Sequence, residues 1–324
     1  MLCMVMLMVV IGGLTRLTES GLSMVNWHPI NGIFPPLNEA EWLVEFEHYK
    51  TSPEYQKINF GMSVNEFKGI FWLEYIHRVL GRVTGLVFFL PFAFFLIKGM
   101  LSRPLALKLG GIFLLGGAQG LLGWYMVKSG LVNEPSVSPL RLASHLSMAC
   151  LLFSLLLWQW LKLFRPAHIN HFSILPFGLI IATFIQIILG ALVAGLDAGL
   201  AYDNFPTMNG QWLPDGLWLQ EPWWKNLYQN ATTVQFIHRL GALLLTVYIG
   251  VLIWKLQKEK LCNFTQACCH SLIIVLILQI TLGALTIIHH VPLLLALLHQ
   301  FVALILLGCA VALLYARSSA TRLQ

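Results

Sequence analysis

The sequence predicts an all-α membrane protein: eight transmembrane helices, built as two tandem four-helix bundles related by pseudo-two-fold symmetry. Three observations predict it. First, 57% of the residues are hydrophobic and only 10% are charged, whereas soluble domains carry about 25% charged residues. Second, several apolar runs reach the roughly 18–20 residues that a helix needs to cross a bilayer. In lipid each backbone group must be paired within its own segment, which favours helices, and the alternation of a membrane barrel is missing. Third, the two halves repeat the same landmarks in the same order.

The predicted spans are about 1–17, 69–97, 105–127, 140–163, 173–196, 231–255, 267–289 and 292–315. The first, at about 1.5 Å per residue, barely crosses the hydrocarbon core, which leaves open whether the natural N-terminus lies upstream of Met1. Two long polar loops, 18–68 and 197–230, separate spans; the other connections are short. Those after the second, fourth and sixth spans carry Lys98, Arg103, Lys108, Lys162, Arg165, Lys255, Lys258 and Lys260, and the tail adds Arg317 and Arg322. The positive-inside rule puts these residues and both termini in the cytoplasm and the long loops outside. Trp27, Trp42, Trp212, Trp218, Trp223 and Trp224 then suit an outer interfacial belt.

The net charge of +6 is spread without a basic block, which argues against nucleic acid. The six cysteines show no CxxC spacing, and none lies in a long outer loop. A disulfide framework or zinc site is not expected, and Cys268 and Cys269 read as helix lining.

The duplication is explicit. GGLTRLTESGLSMVNWHPINGIFPP (12–36) aligns without a gap to GALVAGLDAGLAYDNFPTMNGQWLP (190–214), with eight of 25 positions identical and Glu19 matched by Asp197. IHR recurs at 76–78 and 237–239. Gln-x-x-x-Gly occurs at 119–123, 186–190 and 279–283. A histidine opens the last span of each half, His145 and His299. Four spans per half return the chain to the same side, so the repeats are parallel. The halves are taken as 1–165 and 166–324.

Of eleven histidines, His28, His48, His168, His171 and His270 read as solvated surface groups, and His289 and His290 sit in a tight outer turn. His77, His145, His238 and His299 differ. Each lies in the first turns of an even-numbered span, so all four share one depth near the outer face. A lone histidine in an apolar helix is commonly packed and hydrogen-bonded. Four at one depth, duplicated with the bundle, point to ligation, and imidazoles from facing helices of a bundle hold haem iron. Small residues follow on the same faces: Gly81, Gly85, Ala149, Gly241, Ala242 and Ala303. Arg78 and Arg239 are candidates for haem propionates. No carboxylate–histidine triad favours an isolated metal ion. A transporter site would sit near the midplane at broken helices, whereas these polar residues cluster at one face.

Glu74 lies one turn before His77 and shares its face. It reads either as an ion pair with Arg78 or as a carboxylate held over a haem, able to take a proton or steady a developing cation. The second half has Gln235 there, which does no acid–base work. One reactive site and one passive site follow. These residues also fit a bis-histidine, quinol-linked b-type cytochrome that only carries electrons, or a haem transporter.

With its outer-loop stretch 12–36, LEYIHRVLGR, the second IHR and the two later histidines in order, the chain resembles the haem A synthase family in its proteobacterial and mitochondrial branch, over nearly its whole length. The resemblance implies an enzyme that oxidises the C8 methyl of haem O twice, through a hydroxymethyl and a hydrated aldehyde, to the formyl of haem A for haem–copper oxidases. It implies a haem b cofactor on His238 and His299. The substrate haem falls to His77 and His145, with Glu74 as the essential acid. It also implies a functional link to the haem O synthase and to oxidase assembly, and an electron acceptor that the sequence does not identify. A homo-oligomer is compatible with it. Some bacterial members carry a cysteine pair in an outer loop; this chain has none there, so no thiol chemistry carries over. No mitochondrial presequence is visible, and the expected location is a bacterial plasma membrane, embedded in lipid.

Overall fold

A computed structural model describes residues 1–26, 33–132, 134–165 and 173–318. Trp27, His28, His168, His171 and Arg322 lie outside the described residues. The described chain is helical; its extended pairing is a single bridge between Met208 and Gln211. Among the described residues seven helices are long and apolar enough to cross a membrane. They are α4 (Val64–Ile97), α5 (Arg103–Gly130), α6 (Pro139–Phe164), α7 (Ile174–Gly195), α9 (Ala231–Leu256), α10 (Asn263–Ile288) and α11 (Leu293–Ser318). The protein is a multi-pass membrane protein. Over the first expected span lies α1 (Leu2–Leu17), an apolar helix of 16 residues, shorter than those seven and about 24 Å long at 1.5 Å per residue.

Helix ends follow local chemistry. Ser63 and Glu66 form a reciprocal capping box at the start of α4. Pro104 stands in the first turn of α5, where its missing N–H leaves nothing unpaired. Asn230 accepts from the backbone N–H groups of Thr232 and Thr233 to start α9. Glu19 and Asp197, an aligned pair, follow α1 and α7 with left-handed φ values of 52° and 50°. A non-glycine residue is uncommon in that region, so the same unusual turn leads out of the first helix of each half.

The chain forms two compact units, one covering Cys3–His145 and one beginning at Leu146. In the second, α7 packs on α9 and α11, and α10 packs on α9 and α11, so each helix meets two others. Leu179, Leu245, Ile249, Leu272, Leu307 and Leu313 are almost wholly buried there. Cys268 and Cys269 line the same core. In the first unit α4 packs on α5, where Phe88 and Phe89 stack on Phe113. The most apolar window of α4 has no buried residue.

The outer loop of the first unit is not the open polar connection that its composition suggests. It folds into α2 (Glu39–Lys50) and α3 (Pro53–Lys57). Asn38 caps α2, and Trp42, Phe46 and Tyr49 recur on one face. That face packs on Phe67 and Phe71 at the head of α4, with Trp42 and Phe71 rings 5.0 Å apart. Trp42 is therefore buried, not interfacial, whereas Trp212, Trp218, Trp223 and Trp224 are exposed as a membrane belt requires.

Under this cap lies Glu54, which accepts from the Tyr49 hydroxyl at 2.9 Å; Asn59 in turn donates to Tyr49 at 2.8 Å. Burial pushes the Glu54 carboxyl up from its ordinary 4.5 to about 7. Folded Glu54 thus keeps its proton over a range in which the unfolded loop has released it. Its stabilising effect is complete below about pH 4.5 and fades as pH rises through about 7. Hydrogen exchange of segment 39–62 should accelerate across that window, and Glu54→Gln should flatten the dependence. An unchanged pH profile in that variant would refute the assignment.

Candidate functional site

Of the sequence-predicted residues of the first half, Glu74, His77 and Arg78 lie in the N-terminal half of α4, and His145 lies on α6. Glu74 is 2% exposed and is held by three donors. Ser23 Oγ donates to Oε2 at 2.7 Å and the Met24 N–H donates to Oε2 at 2.8 Å. Arg78 Nη2 donates to Oε1 at 2.5 Å and also to the Met24 carbonyl at 3.2 Å. The Glu74–Arg78 pair is thus buried, unlike the weak exposed ion pair that i,i+4 spacing also allows. A carboxylate offers about four acceptor positions; three are taken, and the remaining one is on Oε1. Ser23 and Met24 are site residues that the sequence reading missed.

The second half builds the same latch with reversed polarity. Gln235, 1% exposed, donates through Nε2 to the Tyr202 carbonyl at 3.0 Å. Tyr202 aligns with Met24. Arg239 Nη2 donates to that same carbonyl at 3.3 Å, and Nη1 donates to Asn204 and Thr207 at 2.9 Å each. Ala201 stands where the first half has Ser23, so the serine donor and the carboxylate it serves are absent together. Both arginines tie loop backbone to helix. Among the described residues Arg239 Nε is buried with no partner, so one donor is left over.

The four histidines sit against glycines of neighbouring helices. A Cβ built on Gly12 would lie 3.2 Å from His77 Nε2. Built on Gly123, Gly190 and Gly283, it would lie 2.9, 3.1 and 2.8 Å from Cε1 of His145, His238 and His299. Each ring therefore needs its glycine. Of the small residues expected beside the ligands, Gly81 faces Met8 and Gly241 faces the Gln186 amide.

His238 on α9 and His299 on α11 have ring centres 6.5 Å apart with planes at 79°. Imidazoles on opposite sides of one metal, at nitrogen–metal distances of about 2.0–2.1 Å, place their centres roughly 6–6.5 Å apart. The spacing of the two ring centres therefore allows one iron between them. Among the described residues no group of three or more His, Cys, Asp or Glu gathers. A macrocycle that brings its own four equatorial nitrogens matches a two-histidine set. His77 and His145 make no comparable ring contact among the described residues.

A family model described as cytochrome oxidase assembly protein matches residues 1–311. Curated relatives named heme A synthase agree with it. The one from Nitrosospira multiformis is 48% identical over 314 residues, 95% of this chain and 88% of its own. The one from Agrobacterium fabrum is 49% identical over 312 residues, 94% and 85% of the two chains. The chain belongs to the haem A synthase family. As a haem A synthase family member it is a haem-related membrane protein, and the similarity extends over nearly the whole chain.

Proposed function

We infer that the protein is an oxidoreductase that converts haem O to haem A by oxidising the C8 methyl to formyl. The observation that carries this reading is the buried Glu74, fixed by three donors one turn from His77, against Gln235 at the repeat position. A protein that only carried electrons would need no such difference between its halves.

In this reading residues 1–165 hold the substrate and residues 166–324 hold the cofactor, in two tandem copies of a four-span unit whose eighth span is α1. The matched left-handed turns at Glu19 and Asp197 and the matched arginine latches support the duplication. His77 and His145 orient haem O. The uncommitted position of Glu74 Oε1 faces the reacting edge, where it takes up a proton or offsets positive charge developing at the methyl carbon. Ser23, Met24 and Arg78 keep that carboxylate from turning away, and Arg78 also reaches a propionate. His238 and His299 hold haem b, and Arg239 steadies it through its free Nε. Haem b, when bound, supplies one-electron transfer. Little of α4 is buried, which supports arrival of the lipophilic substrate from the bilayer. The termini lie on the cytoplasmic side of the bacterial inner membrane and the histidines near the outer face, as the distribution of lysine and arginine supports. The substrate and product link the protein functionally to haem O synthase and to oxidase assembly.

The test is chemical. Purified protein is incubated in membranes with haem O, and the haems are extracted and identified by mass. Haem A should appear. Recovery of haem b with haem O unchanged would overturn the reading in favour of an electron carrier.

A further inference from the structure

Three of the four histidines are braced by a glutamine, and the fourth is not. Gln119 Nε2 on α5 lies 3.5 Å from His145 Nε2 and donates to the His145 carbonyl at 3.1 Å. Gln186 Nε2 on α7 lies 3.1 Å from His238 Nδ1 and donates to the His238 carbonyl at 2.9 Å. Gln279 Nε2 on α10 lies 3.3 Å from His299 Nε2, while His299 Nδ1 bonds the Gln279 carbonyl at 3.1 Å. Each glutamine is followed four residues later by the glycine that its histidine ring leans on. Gln and Gly thus stand one turn apart on one helix face, the amide gripping the ring and the glycine making room for it.

The side-chain carbonyls of all three glutamines are buried with no partner among the described residues. An unpaired buried acceptor is costly, and three at matched positions are not an accident of packing. A side-chain amide can present either its nitrogen or its oxygen. Turned over, Gln186 Oε1 would accept from His238 Nδ1–H and leave Nε2 to the iron, giving up the bond to the His238 carbonyl. Metal-bound histidine almost always has such an acceptor on its other nitrogen.

The fourth position breaks the pattern. Gly12 backs His77, but four residues earlier stands Met8, aligned with Gln186. Met8 offers a thioether, and its Cε points at Gly81. Among the described residues no side chain hydrogen-bonds the His77 ring.

We propose that Gln119, Gln186 and Gln279 are positioning residues that fix His145, His238 and His299 as lasting axial ligands, and that unbraced His77 is the ligand that lets go. The second site then has two fixed ligands and keeps its haem. The first has one fixed and one yielding ligand, as a site that must exchange substrate for product requires. This rests on the two-site reading above.

The test measures haem loss from purified protein to excess apomyoglobin, with each released haem identified by mass and the spin state followed optically. Loss should be biphasic. Met and Gln side chains have nearly the same length, so Met8→Gln adds the brace with little change of shape; it should slow the fast phase about tenfold or more. Gln186→Leu should speed the slow phase about 10–100-fold, the usual cost of removing such a partner, with a rise in high-spin haem. Gln186→Glu, which keeps an acceptor of stronger pull, should remain low-spin and shift the midpoint potential negative. An unchanged fast phase in Met8→Gln, or an unchanged spectrum and slow phase in Gln186→Leu, would overturn the proposal. Should haem O leave in the slow phase and haem b in the fast one, with the glutamine effects intact, the braces stand and the assignment of the two halves falls.

Discussion

Glu74→Gln should lower haem A formation by about two to four orders of magnitude, the range that a positioned acid or base contributes, while the chain still folds and binds haem. The second half already shows that a glutamine fits this helix position. Gln235 is buried and bonds the Tyr202 carbonyl, with Arg239 on the same atom. In the variant, Ser23 Oγ and the Met24 N–H can still donate to the amide oxygen. Arg78 loses its carboxylate but keeps the Met24 carbonyl. Removing one partner of a buried ion pair is destabilising, so the haem content per chain must be measured beside the product. The ratio of haem O to haem A in the extract then reports on chemistry. Normal accumulation of haem A with Gln at 74 would eliminate the acid–base and the charge-stabilising role together. Ser23→Ala is the graded companion. It removes one of three donors and copies Ala201, so its loss of product should be smaller than that of Glu74→Gln.

The parts of the fold legible in the sequence are those set by local pattern. The seven long spans follow from apolar run length, and the IHR repeat and the order of the four histidines follow from their register on helices. Ser23 was not legible, because it reaches Glu74 across 51 residues and only the folded loop brings them together. With the structure known, a signal can be named: Ser23/Glu74 become Ala201/Gln235 as a pair. The arginines show the same limit. Charge and position point to propionates; that both guanidinium groups also meet loop carbonyls depends on the path of the loop. The helices α2 and α3 were missed for another reason. A loop rich in Glu and Asn hides the Asn38 cap and the Trp42, Phe46, Tyr49 stripe, which carry the signal. The glycines that matter were sought on the histidines' own helices, whereas those in contact stand on neighbours.

Gly283→Ala should strip the second unit of its haem nearly as fully as His238→Ala, although it removes no ligand. In an isolated helix the change would be favourable, since Ala is preferred over Gly by about 1 kcal/mol. Here the new Cβ would lie 2.8 Å from His299 Cε1, well inside contact distance. A Cβ is fixed to the backbone of α10, so the ring must swing instead, and with it the bonds to the Gln279 carbonyl and amide. The two rings, 6.5 Å apart, have little room to give before one nitrogen leaves the iron. Gly250→Ala is the control: on α9 nothing lies within 4 Å of its Cβ position, so that variant should keep its haem and gain helix stability. Haem per chain, with the low-spin spectrum, measures both. Full haem retention in Gly283→Ala would mean that His299 is not an axial ligand, and retention in His238→Ala would mean the same of His238.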